Sequence, residues 1–260
     1  MKYTERLALD LKRLGIAPGD VVLIHTSLKA LDTPGVRAEE VIETLMELLT
    51  PSGTLLVPAL SYETVTRENP VFDVKLTKSC IGALPECFRT GYAQYRSMHP
   101  THSVCAWGRY AYGATVWHKL DETPVGPHSP FMQLPMLGGK ILMLGCGLRP
   151  NTFMHGVEEA ARASYPLDPK YCLYTLRDAG GKLTRKMYRP HRFGGLVQRY
   201  DRLAELLPEP ALVKGRVLGG SAYLIDAKAA FEAGVQAIRK KDRFFVDDPG
   251  SLNELLKERG

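Results

Sequence analysis

The sequence predicts an α/β fold in which a central, mostly parallel sheet is flanked by helices and carries an inserted antiparallel β element. Three observations carry this. Continuous apolar runs of strand length recur at VVLIH (21–25), TLLVPAL (54–60) and KILMLG (140–145), as strands buried on both faces of a parallel sheet require. Segments with helical spacing of apolar residues alternate with them. Two strand-like segments around a glycine pair, between 170 and 190, interrupt that alternation as a hairpin would.

Taken in order, TERLALDLKRL (4–14) places Leu7, Leu11 and Leu14 on one helical face, with Thr4 as the expected N-cap. GIAPGD is a turn, and the 21–25 strand follows. AEEVIETLMELL (38–49) is amphipathic and closes on Pro51 and Gly53. The 54–60 strand then completes a helix–strand–loop–helix–strand opening. Residues 61–80 are polar and read as loop, and IGALPECFRT (81–90) as a short helix. After the 140–145 strand, residues 153–163 read as helix. YCLYTLRD and KLTRKMY form the hairpin, and AYLIDAKAAFEAGVQAIRKK turns from strand to helix by about 227. Without an internal repeat or a low-complexity linker, one domain is expected over 1–260.

Composition narrows the classes. Of 260 residues, 45% are hydrophobic and 24% charged, which fits a globular chain rather than a disordered one. No apolar run approaches the ~20 residues of a membrane span. The N-terminus lacks the apolar core of a secretory signal, and five scattered cysteines argue for reduced thiols, so a cytoplasmic setting is expected. The formal charge of +6 suits a polyanionic small molecule. No nucleic-acid-binding signature accompanies it, so no nucleic-acid partner and no membrane partner are expected.

Three segments could carry chemistry. In VVLIHTSLKAL, a buried strand ends at His25. If a helix starts near Leu28, its free N–H groups and the Thr26 and Ser27 hydroxyls form an anion site, although both residues are also ordinary caps. In YRSMHPTHSVCAWG (95–108), Arg96 and Ser97 could hold a phosphate. His99, His102 and Cys105 have ligand types at H-x2-H-x2-C spacing, but Pro100 blocks the helix that would align them. Cys105 could also be a nucleophile, or a core thiol in an apolar setting. In GCGLRPNTFMHGVEEAAR (145–162), a Gly-rich turn leads into a helix near Thr152. His155, Glu158 and Glu159 then share a face, so a general base beside a carboxylate competes with a solvated helix face. H-x-x-E also permits a zinc reading that needs a further distant histidine. GPHSP (126–130) could lie over a ligand, His191 could face the cleft, His118 has no evident partner, and Trp107 and Trp117 read as packing residues.

Together these blocks resemble the aminoglycoside 3-N-acetyltransferase family, the antibiotic N-acetyltransferases distinct from the GNAT superfamily. The similarity runs through GDVVLIHTSLKAL, GTLLVPAL, FDVKLTKSCIGALPECFR, RSMHPTHSVCAWG, HSPFMQLPMLGGKILMLGCG and NTFMHGVEEAA. The resemblance implies a transferase that moves an acetyl group from acetyl-coenzyme A to an amine of an aminoglycoside, as in antibiotic resistance; no covalent enzyme intermediate is required, so direct transfer in a ternary complex is expected. It implies that His25, Thr26, Ser27 and Leu28, with Arg96, Ser97, His99, His102, Ser103 and Val104, line the coenzyme site. It maps the family's histidine onto His155, its glutamate onto Glu158 and a loop carboxylate onto Asp73; the chemistry of acetyl transfer then makes His155 the base, Glu158 or Asp73 the carboxylate that holds the imidazole, and Thr152 or a nearby backbone N–H the oxyanion donor. No metal is expected, and the chain is expected as a monomer or homodimer.

The sequence departs from the family pattern at Cys105, where a small residue is usual, and at Gly156, where an apolar residue is usual. A basic stretch at 183–193 leaves an amine other than an aminoglycoside as the alternative acceptor. A Cys/His or zinc-dependent hydrolase is the remaining alternative.

Overall fold

The computed structural model describes residues 2–250, so residue 1 and residues 251–260 of the expected 1–260 domain lie outside the described residues. Helix α1 (Tyr3–Leu14) buries Leu7, Leu11 and Leu14, as their spacing requires, and ends on Gly15 in the left-handed region. It starts one residue before Thr4. Lys2, not Thr4, is the N-cap, and its backbone N–H donates to Glu5 Oε2 at 3.1 Å. Strand β1 (Val21–Thr26) leads to a single 3-10 turn over Leu28–Ala30, then to α2 (Ala38–Leu49) and β2 (Thr54–Pro58).

The rest of the chain is β3 (Val71–Asp73), α3 (Ala83–Gly91), β4 (Tyr95–Arg96), β5 (Val104–Gly108), α4 (Ala111–Val116), α5 (Pro130–Gln133), β6 (Lys140–Leu144), α6 (Phe153–Ala161), β7 (Cys172–Arg177), β8 (Leu183–Tyr188), β9 (Val197–Gln198), β10 (Leu212–Val217), β11 (Gly220–Asp226), α7 (Ala227–Lys240) and β12 (Val246–Asp247).

The main sheet has the order β10-β11-β6-β1-β2-β5-β4. Its centre, β6-β1-β2, is parallel, and Leu23 faces Ile141 on one neighbour and Leu56 on the other. Its edges, β5-β4 and β11-β10, are antiparallel. The α/β class is as predicted, with the parallel part concentrated where the apolar runs are longest. Those runs are continuous because both faces are covered. Val21 and Leu23 point into a core with Phe153, Met154 and Val157 of α6 and Ala230 and Ile238 of α7. Val22 and Ile24 point into a second core with Leu7 and Leu11 of α1 and Val41 and Leu45 of α2. Each fully buried leucine contributes about 1.5–3 kcal/mol of transfer free energy to this sandwich.

The predicted hairpin is β7-β8, which forms a separate sheet with β3. The strand β3 lies inside the polar 61–80 stretch that reads as loop. Phe72 is its one buried residue, and it seats on Val65, Tyr174 and Tyr188 in a small third core. Trp117, expected to pack, is half exposed, whereas Trp107 packs against the second core. Farther along, β12 pairs antiparallel with β9, and Asp247 accepts from both Arg199 Nη1 (2.5 Å) and Arg202 Nη2 (2.6 Å). Among the described residues no helix is long and apolar enough to cross a membrane.

Candidate active site

The three parallel strands end on one edge of the sheet, where ligands bind in open α/β folds. A cavity of about 730 Å³ opens there. Its walls include Ile24, His25 and Thr26 from β1, Pro58 and Leu60 from the end of β2, and Cys146 and Arg149–Thr152 from the loop after β6. Leaving β6, the chain passes beneath the Ser27 turn. Gly145 makes this possible, because it has φ +75° and a Cβ there would lie 2.6 Å from the Ser27 carbonyl oxygen.

Helix α6 then starts at Phe153 with Thr152 at its N-cap, and His155 faces the cavity. Behind the imidazole sits Glu158, fully buried one turn along the helix. Its Oε1 accepts from the Tyr165 hydroxyl at 2.8 Å, and its Oε2 accepts from the Tyr200 hydroxyl at 2.9 Å. The Tyr200 oxygen lies 2.7 Å from His155 Nδ1, which is also 3.3 Å from Glu158 Oε2. A phenol carries one proton, and Tyr200 gives that proton to Glu158. The Nδ1–H of His155 must therefore be the donor to Tyr200, which leaves Nε2 with its lone pair. Burial and then Glu158 push the Tyr200 hydroxyl well above its ordinary range, so it keeps its proton.

Two more histidines reach the same space. His102 is anchored through Nδ1 to the Thr101 hydroxyl at 2.9 Å. His191 lies 2.7 Å through Nε2 from Glu159 Oε1, which also accepts from the backbone N–H of Val125. Glu159 therefore points away from Glu158 and serves a different ring. One ring nitrogen each from His102, His155 and His191 lies within 4.8 Å of the others. Burial, then the neighbouring histidine charges, hold His102 and His191 well below the usual histidine range. Likewise burial, with His155 second, pushes His25 down to about 3.

Several expected site residues lie elsewhere. The helix anticipated near Leu28 is only a three-residue 3-10 turn, so it offers no N-terminal anion site. The Ser27 N–H is bound to the Leu144 carbonyl, and Leu28 lines a separate shallow depression with Lys29 and Asp32. Arg96 is not turned to a phosphate. Its guanidinium donates to Ser103 Oγ (2.9 Å), Thr77 O (2.6 Å), Ala59 O (3.1 Å) and Val74 O (3.2 Å), clamping β4 to the loops around it. Ser103 also donates to Ala59 O, and Val104 is core. Ser97 bonds His118 Nδ1 at 2.8 Å, which supplies the partner His118 lacked in sequence, and it accepts from Val104 N. His99 accepts the backbone N–H groups of Thr101 and His102, so it shapes the turn rather than the cavity wall.

Asp73 does not touch His155. Its Oδ1 accepts from the N–H groups of Lys75 and Leu76, and its Oδ2 lies 4.0 Å from Arg177. Of the expected residues, the cavity wall holds His25, Thr26, His102, Thr152 and His155, with Glu158 behind the last.

The 126–130 turn lies outside the cavity lining: Ser129 caps α5, and His128 pairs with Asp121. Cys105 is buried in the second core, and burial pushes its thiol up to about 12, which removes it as a nucleophile. Gly156 is explained by packing. A Cβ there would lie 2.4 Å from Met132 Cε and 2.7 Å from Val125, so those side chains fill the space of an apolar residue.

Sequence reading misses Tyr200, Tyr165 and Asn151. The two tyrosines come from outside α6 and carry no local spacing signal. Asn151, fully buried, lines the cavity with neither amide atom partnered, and His25 Nε2 and Thr26 Oγ1 are buried without partners as well.

A family model described as aminoglycoside 3-N-acetyltransferase matches residues 23–239. Aminoglycoside N(3)-acetyltransferase VII of Streptomyces paromomycinus is 34% identical over 175 residues, 61% of this chain and 60% of that protein, so the match spans well under two thirds of that relative. Among solved structures, AAC-IIIb in binary complex with CoASH is 27% identical, with TM-score 0.78 over 92% of this chain and 96% of that one. AAC(3)-IVa in complex with a gentamicin, as a mutant, is 26% identical, with TM-score 0.80 over 96% and 95%.

Proposed function

The chain belongs to the aminoglycoside 3-N-acetyltransferase family, and on that premise we propose that it is an acetyl-coenzyme A dependent N-acetyltransferase with His155 as general base. The observation that carries this is the orientation of one ring. Tyr200 and Glu158 take the Nδ1 side of His155, and Nε2 is left as a base on the cavity wall.

The cavity suits the coenzyme's thioester arm. That arm carries amide groups, and Asn151, His25 and Thr26 bring buried polar atoms without partners to the wall that would meet it. When bound, acetyl-coenzyme A supplies the acetyl group as a thioester. His155 Nε2 would accept the proton that the acceptor ammonium sheds before it attacks and would return it to the departing thiolate, while the second nitrogen proton leaves to solvent as the amide forms. Glu158 lies at contact distance from the imidazolium so formed and stabilises it. Cys146 lines the cavity, but burial pushes its thiol up to about 11, which favours direct transfer over an acyl-cysteine. Thr152 stands at the N-cap of α6 and lines the cavity with His155.

The neighbour bound to CoASH supports the coenzyme, and the neighbour bound to a gentamicin supports an aminoglycoside acceptor. A second reading, a less cationic amine, is favoured by the cavity's charge. Arg67, Arg149 and Arg192 line it against Glu68 and Asp168, and Asp168 is already bound to Arg67 at 2.9 Å. Turnover of acetyl-coenzyme A, read as free thiol across aminoglycosides and simple amines, separates the two acceptors. His155→Ala should lower kcat on the order of 10²–10⁴-fold. An unchanged rate in that variant would end the base assignment.

A further inference from the structure

We propose that His102, His155 and His191 form a three-nitrogen site for a first-row divalent transition-metal ion, of which zinc is the leading example. Each ring is arranged as a metal-ligating histidine is, with one nitrogen tied to a fixed partner and the other free. His102 spends Nδ1 on the Thr101 hydroxyl. His155 spends Nδ1 on Tyr200 and Glu158. His191 spends Nε2 on Glu159 Oε1, and its Nδ1 is buried with no partner at all. The side chain of His191 is 7% exposed, so that lone nitrogen is an uncompensated polar group in the wall of the cavity.

The separations fit. Tetrahedral zinc at ~2.0–2.1 Å from each nitrogen places the nitrogens about 3.4 Å apart. One ring nitrogen of each histidine lies within 4.8 Å of the others, so such a set needs to close by at most about 1.4 Å. The three rings stand edge-on to one another, with centroids at 4.8 Å (His155–His191), 4.9 Å (His102–His191) and 6.0 Å (His102–His155). All three residues line the cavity, so an ion held by them would be open to it. On the acetyltransferase reading, and only there, the ion is an inhibitor, because it occupies the His155 lone pair that removes the acceptor's proton.

The test is a cobalt(II) titration of the chelator-treated full chain, followed by visible absorption. Saturation at one equivalent is expected, with the intensity of a tetrahedral nitrogen site and no thiolate charge-transfer band. His102→Ala and His191→Ala should each weaken binding by at least the order of 10–100-fold. His128→Ala, at a half-exposed ring paired with Asp121, should bind as wild type. Failure of wild type to give a saturable spectrum would overturn the site whether or not the variants fold. So would a thiolate band, which would move the ion to Cys146, or wild-type affinity in both cavity variants. In a separate arm, zinc should inhibit acetyl transfer at the concentration that displaces cobalt, and a chelator should restore it. Binding without inhibition would leave the site standing and overturn its coupling to His155.

Discussion

Tyr200→Phe isolates the hydroxyl that sets the His155 tautomer. The ring remains: it is fully buried beside Phe245, with its centroid 5.5 Å from the His155 ring. One oxygen is lost, and two contacts go with it, at 2.7 Å to His155 Nδ1 and 2.9 Å to Glu158 Oε2. Glu158 keeps the Tyr165 hydroxyl, and its Oε2 stays 3.3 Å from His155. A hydrogen bond to a charged group contributes about 1.5–3 kcal/mol, so a stability loss near 2 kcal/mol is expected. In a chain this long that lowers Tm by roughly 4–8 °C. The base then loses its best-placed anchor, and kcat should fall about 10–100-fold. KM for acetyl-coenzyme A should stay within about twofold, because the hydroxyl is already committed to His155 and Glu158. Thiol release against both substrates gives kcat and KM, and a thermal melt gives Tm. If kcat held steady in a folded variant, the tautomer assignment would be wrong. A parallel rise in KM and fall in kcat would instead mean that the cavity had distorted.

Other variants follow from the same geometry. Asp73→Asn should leave kcat within about twofold, whereas Glu158→Gln should cost roughly 10-fold or more; equal effects in the rate assay would restore Asp73 to the site. Cys105→Ala should keep full turnover while losing about 1 kcal/mol of stability by denaturant melt, and loss of turnover without unfolding would reopen the thiol mechanism. Arg89's hydrogen bonds hold the Glu86 carboxyl down to about 2. A depressed carboxyl contributes stability above its unfolded value near 4.5, and that stability is lost as pH falls toward 2. After allowance for solvent, the pair contributes about 1–2 kcal/mol. Glu86→Gln should therefore flatten the fall of Tm between pH 4.5 and 2, and an unchanged acid slope would remove the pair from the account.

The parts of the fold that were legible are those with two buried faces. β1, β2 and β6 read as strands because each lies between two helical layers, so their runs are apolar almost throughout. The edge strands lack that signature. β10 alternates and contains Gly215, β5 is five residues inside a histidine-rich block, and β3 has a single buried side chain. In the site, His155 and Glu158 are legible because helical spacing brings them together. Tyr200 is 42 residues beyond Glu158, in a 3-10 stretch rich in charge, and only tertiary packing delivers it. Arg96 misleads for a chemical reason. A guanidinium near serines suits a phosphate, but it suits carbonyl oxygens equally well, and the folded loops supply three of them.

The small β9–β12 pairing extends the reach of the chemistry. Tyr200 sits between Arg199 and Arg202, and both arginines are fastened to Asp247. The phenol that aims the imidazole is thus guyed to a carboxylate nearly fifty residues downstream. An engineer who trims or fuses the chain near that carboxylate slackens the line, and the reaction centre registers the change although no cavity residue has been altered.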